Sequence, residues 1–206
     1  MRTDVDRAMR RARGYWYEDG LTEIAAGCIL SLVGLLFLAE AVSPPDLLPT
    51  NFSSIGLIVV VVGGGWLARR VVAALKARLT YPRTGYVAYR RPSGRRRVAT
   101  VVLAAGMAAL AAVLFATAPA SLAWIPALQG LIVGILLLYV GHTVGLARFY
   151  ALAALSAVVG AAASLAGLGD ILGDAVYFGA MGLALVVSGG ITFLAYLSRN
   201  RPPSEA

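Results

Sequence analysis

The chain has 206 residues, 59% of them hydrophobic and only 14% charged, with a net charge of +8 and a mean hydropathy of +0.79. Soluble domains carry roughly 25% charged residues, so a water-soluble globular body is excluded, and no nucleic-acid recognition fold fits between the apolar runs. Cys28 is the only cysteine, which excludes an internal disulfide; it lies in an apolar run and reads as a small packing residue.

Residues 1–20 place Val5, Ala8, Met9, Ala12 and Trp16 at helical spacing among Arg7, Arg10, Arg11 and Arg13. This predicts a basic interfacial segment, with Tyr15, Trp16 and Tyr17 at headgroup level. The run that follows is long and lacks a small-residue cleavage site, so it reads as a retained span. That first span is Leu21 to Val42, with Asp19 as its expected N-cap and Glu18, Asp19 and Glu23 favoured by the helix dipole. Ser43-Pro44-Pro45 ends it.

The second span starts near Asn51 and is unbroken from Ile55 to Ala68. Arg69 and Arg70 are expected to snorkel, carrying the helix toward Leu79. Gly63, Gly64 and Gly65 each weaken a helix by about 1 kcal/mol relative to Ala, and the expected compensation is close packing on another helix. A basic loop follows, with segment 69–97 holding 10 of the 18 Lys and Arg residues. Alternation in Tyr86-Val87-Ala88-Tyr89 and the turn signal Pro92-Ser93-Gly94 point to a small hairpin there. Arg69, Arg70, Arg83, Arg90, Arg91, Arg95, Arg96 and Arg97 are the residues expected to face anionic lipid headgroups or a protein partner.

The third span is read from Val98 to Thr117, the fourth from Leu122 to Val144 and the fifth from Phe149 to Leu168. An acidic turn over residues 169–174 holds Asp170 and Asp174, read as solvated. The sixth span is Ala175 to Leu197, and the polar tail is 198–206. The expected fold is therefore all-α: one transmembrane bundle over 21–197 with six spans. With both termini in the cytoplasm, the inner segments 1–20, 69–97, 145–148 and 198–206 hold all 18 basic residues and the outer loops hold none. Basic residues concentrate on the cytoplasmic side of membrane proteins, which sets this orientation. Arg outnumbers Lys 17 to one in a chain rich in Ala and Gly; such a composition suits a GC-rich gene, and the expected location is the inner, cytoplasmic membrane of a prokaryotic-type cell.

Three polar residues inside spans are candidates for function: Glu23, Gln129 and His142. Glu23 is shallow, so an ion pair with Arg69, Arg70 or Arg148 competes with a functional role. His142 has no companion His or Cys, so no metal site or haem is expected. Gln129 either lines a polar pocket or joins helices. Gly130 with Gly134, and Gly141 with Gly145, are spaced to let helices approach closely. No motif for a cofactor, metal or catalytic constellation is present. The expected function is a small permease-like or substrate-binding membrane subunit. The alternatives are a non-catalytic scaffold or accessory subunit of a membrane complex and, less favoured, an enzyme modifying lipid. The expected partners are the bilayer, anionic headgroups, and a membrane protein or second copy of the chain, with no nucleic acid.

Overall fold

The computed structural model describes residues 17–44, 47, 49, 52–80, 123–168 and 170–200. No strand occurs among them, and five helical stretches are long and apolar enough to cross a membrane. This all-helical architecture is compatible with an integral membrane protein. In hydrocarbon a backbone has no water to bond, and a helix closes its own hydrogen bonds.

Helix α1 is Leu21–Val42. Then α2 (Phe52–Ile58), a π-helical turn (Val59–Gly63), α3 (Gly64–Leu75) and a second π-helical turn (Lys76–Thr80) run on as one rod, of which the 27 residues Phe52–Arg78 are long and apolar enough to cross a membrane. Helices α4 (Ile125–Val144), α5 (Ala147–Leu165) and α6 (Asp170–Arg199) complete the described fold. The expected interfacial helix up to Trp16, the hairpin and arginines between 81 and 97, the third span Val98–Thr117 and the tail from 201 lie outside the described residues.

Two antiparallel pairs organise the bundle. Along α1, Gly20, Gly27 and Gly34 recur every seven residues and meet Gly189, Gly182 and Gly179 of α6. A Cβ added to Gly27 would stand 2.6 Å from the Gly182 carbonyl oxygen and 2.7 Å from the Val186 nitrogen. Apolar burial drives little between helices in lipid, so such backbone approach, with its dispersion contacts, is what holds them. The second pair is α4 and α5, joined by Gly145 and Leu146. Gly145 has φ 78° and its N–H returns to the Gly141 carbonyl, a left-handed helix end that favours glycine. A Cβ on Gly130 would lie 2.6 Å from the Ser156 carbonyl oxygen, on Gly134 3.2 Å from that of Ala153, and on Gly141 3.1 Å from the Phe149 Cβ. Helix α6 touches both α4 and α5, while the rod packs chiefly on α1.

Asp19, Lys76 and Arg148 come together at one end of the bundle, called here the charged end. Helix α1 leaves it, the rod returns to it, α4 arrives from the far end, α5 leaves and α6 returns. Thr80 thus stands at the charged end and Ile125 at the opposite one.

Three expectations need correction. Asp19 is not the N-cap of α1: Gly20 is, with φ 68°, and the turn it makes sends the Asp19 carboxylate beneath the helix, where it accepts from the Leu21 N–H at 3.3 Å. The acids at 170 and 174 are no loop, because α6 begins at Asp170 and the positive helix end favours acids there; Asp174 is buried. Among the described residues the triple glycine is not a helix contact as a unit. None of them lies within 4 Å of a Cβ on Gly63 or Gly65, and one on Gly64 meets only Ile29 Cγ1 at 3.5 Å, an ordinary contact. The π-helical turn ends at Gly63, and glycines permit such local adjustment in a membrane helix. Gly63→Ala is therefore expected to raise stability by about 0.5–1 kcal/mol, read as a higher melting temperature in detergent; a decrease would reveal a neighbour at that face.

Candidate functional site

Two carboxylates stand at the start of α1, Asp19 just before the helix and Glu23 in its first turn, and each is buried against a cation from elsewhere. Asp19 is 0% exposed and Lys76 1%. The Lys76 Nζ lies 3.0 Å from Asp19 Oδ1 and 2.8 Å from Oδ2. Lys76 is the chain's only lysine among 18 basic residues. An ammonium is a compact charge with three donors, whereas guanidinium is a broad planar fork, so lysine suits this closed position.

Glu23 is also buried. Its Oε1 accepts from Arg148 Nε at 2.7 Å and stands 2.6 Å from Nη2, while Oε2 accepts from Ser188 Oγ at 3.0 Å. Arg148 Nη2 donates as well to the Tyr17 carbonyl. Four charges, two of each sign, thus tie α1 to the rod, to α5 and to α6. A buried charge left single is far costlier than one that is paired and hydrogen-bonded, which accounts for the completeness of the set. Tyr17 packs edge-on against Phe149, ring centroids 5.7 Å apart. Burial first, and then the Glu23 charge, push its phenol above the ordinary tyrosine range, so it stays protonated at neutral pH.

Beside this network lies a cavity of about 450 Å³. Among the described residues its charged lining is Glu18, Arg148 and Arg199; Thr192 and Asn200 add neutral hydrogen-bonding groups, and Leu146, Ala195 and Tyr196 complete it. The left-handed turn at Gly145 sets Leu146 and Arg148 on one side, and the last turns of α6 supply the other. Small-ligand sites commonly span about 300–1,000 Å³ with a few convergent polar groups on an apolar wall.

The three candidates singled out from sequence do not form one site. Gln129 and His142 lie about 20 Å apart along α4, at 1.5 Å per residue. His142 is exposed, and no hydrogen bond or ion pair joins it to Glu23 among the described residues. Gln129 belongs to a separate cluster nearer the far end. There Ser156 Oγ donates to the Gly130 carbonyl at 2.9 Å and shares a 2.9 Å hydrogen bond with the Tyr177 hydroxyl. The Tyr177 hydroxyl also donates to the Gln129 carbonyl at 3.2 Å, and Gln129 Oε1 is buried without a hydrogen-bond partner. Across from it, Ser164 Oγ accepts from the Ala127 N–H at 3.0 Å, satisfying an orphan donor at the start of α4. Arg69 and Arg70 are exposed, and the Arg70 guanidinium lies 4.2 Å from the Trp66 ring centroid. Gly130, Gly134 and Gly141 face α5, whereas Gly145 makes the turn. Arg83, Arg90, Arg91, Arg95, Arg96 and Arg97 lie outside the described residues.

Sequence reasoning did not find Asp19 with Lys76 as a pair, nor Ser188, Ser156, Tyr177, Thr192 or Asn200. One signal was present: a lone lysine among arginines marks a position that arginine does not serve. Among the described residues no group of three or more His, Cys, Asp or Glu is placed to hold a metal ion. Comparison with known protein families, characterised proteins and solved structures returns no match.

Proposed function

We propose that this chain is a multi-pass protein of the inner, cytoplasmic membrane of a prokaryotic-type cell, with its charged end in the cytoplasm, and that it binds a small polar ligand without covalent chemistry, as a substrate-binding subunit or small permease does. The orientation rests on the partition of all 18 basic residues to one side of the six expected spans. The observation that carries the binding reading is the cavity of about 450 Å³ at the charged end, whose lining joins charged and hydrogen-bonding groups to apolar ones. Its floor is rigid, because Arg148 is held by Glu23 and by the Tyr17 carbonyl. Among the described residues of this site no nucleophile stands beside an oriented base.

The test is to fill the cavity. Ala195 is half-buried on its wall, and Ala195→Trp is expected to abolish the stabilisation that polar small molecules give the wild-type protein in a thermal-shift screen, while leaving the melting temperature without ligand within a few degrees. A bound ligand at 100 times its Kd adds about 2.7 kcal/mol, well within reach of that measurement. If no compound shifts the wild type saturably, or if Ala195→Trp responds equally, the binding reading falls. The scaffold reading is then the better one. It draws on the rod's bare face, where Ile55, Ile58, Val62, Trp66 and Leu67 are all more than half exposed.

A further inference from the structure

Arg148 is neutralised by Glu23, so among the described residues the charges left to the cavity are those of Glu18 and Arg199. Both line it. Both are exposed, neither makes an ion pair or side-chain hydrogen bond among the described residues, and they do not pair with each other. Arg199 projects from the last turn of α6, and Glu18 precedes the turn at Gly20. A simple anion placed here would meet Arg199 but also a carboxylate of its own sign, and a simple cation would meet the converse. Only a ligand carrying both signs offsets both walls.

Resting on the binding reading above, we propose that the cavity takes a zwitterion of the ethanolamine-phosphate type, its phosphate on Arg199 and its ammonium on Glu18. A guanidinium recognises phosphate oxygens in pairs. The Asn200 side chain donates to the Tyr196 carbonyl at 3.1 Å, which leaves its amide oxygen to accept from an ammonium. Leu146 and Ala195, in the same lining, suit the short apolar stem of such a ligand. The same chemistry occurs on a membrane lipid headgroup and on the free compound.

Isothermal titration of the full chain in phosphatidylglycerol nanodiscs, which carry no amine, tests this with three probes. Phosphoethanolamine is expected to bind saturably and about fivefold more tightly than either ethyl phosphate or ethanolamine, the scale of one exposed ion pair. Glu18→Gln should erase the advantage over ethyl phosphate alone, and Arg199→Gln the advantage over ethanolamine alone. These opposite losses of selectivity separate recognition from general damage to the fold. Repeating the titration in nanodiscs half composed of phosphatidylethanolamine identifies the source: competition assigns the site to the lipid headgroup, and unchanged affinity assigns it to the soluble compound. Ethyl phosphate binding as tightly as phosphoethanolamine, with Glu18→Gln indifferent, overturns the zwitterion and leaves the cavity a site for anions. Absence of binding by all three probes also overturns it; the screen with Ala195→Trp then decides separately whether the cavity binds anything.

Discussion

Gly27→Leu is expected to part α1 from α6. The position where its Cβ would sit is already within 2.6 Å of the Gly182 carbonyl oxygen and 2.7 Å of the Val186 nitrogen. Both are backbone atoms of a regular helix, so neither can rotate aside as a side chain would. Overpacking a core typically destabilises by about 1–3 kcal/mol. Gly27→Ala should reach that range, and Gly27→Leu should exceed it because four carbons must be housed where one does not fit. The damage should spread, since Glu23 and its Ser188 hydrogen bond lie one turn away along the same seam. Unfolding in mixed micelles is the measurement, with Gly63→Ala, which meets none of the described residues within 4 Å, as the comparison. A wild-type unfolding curve for Gly27→Ala would mean that the two helices are not in backbone contact.

The second large effect concerns the Asp19–Lys76 pair. Asp19→Asn removes the carboxylate that the buried Lys76 ammonium pairs with, and Lys76→Met removes the ammonium that the buried Asp19 carboxylate pairs with. Breaking a buried pair in this way costs about 3–5 kcal/mol. The double variant Asp19→Leu with Lys76→Met removes both charges and should recover most of the loss, because a matched apolar replacement is often neutral or better. Lys76→Arg keeps the charge but should still destabilise, since a site with Lys76 only 1% exposed has no room for the wider guanidinium. A double-mutant cycle that comes out additive would show that the two side chains do not interact.

The spans were legible because apolar runs of about 20 residues have few alternative fates. Expected and observed limits coincide for Leu21–Val42, and the fourth span ends at Val144 as expected. Limits moved where charge was taken as a stop signal. Arg148 lies inside α5, and Asp170 with Asp174 inside α6, because each charge sits in the first turns of its helix, where ion pairing or the helix dipole accommodates it. The glycine contacts were legible only in part. A four-residue spacing led to Gly130 and Gly134, but the α1–α6 seam repeats every seven residues, and nothing in one helix says which other helix shares its period. The site was the least legible. Tyr17, Glu23, Arg148 and Ser188 come from three distant stretches of sequence, and only the packing of helices brings them to one place.

The pairing of α1 with α6 also dictates an order of events during synthesis. Helices α4 and α5 are neighbours in sequence, separated by a two-residue turn, and can pair as soon as both are made. Helix α1 has no such luck: everything from Ser43 to Gly169 must be made before its partner begins at Asp170, a wait on the order of 10 s at ordinary elongation rates. Throughout that interval Gly27 and Gly34 have no Gly182 or Gly179 to meet, and the Glu23 carboxylate lacks Ser188. A ribosome that stalls before α6 is finished leaves a chain whose α1 glycines lack the helix they pack on.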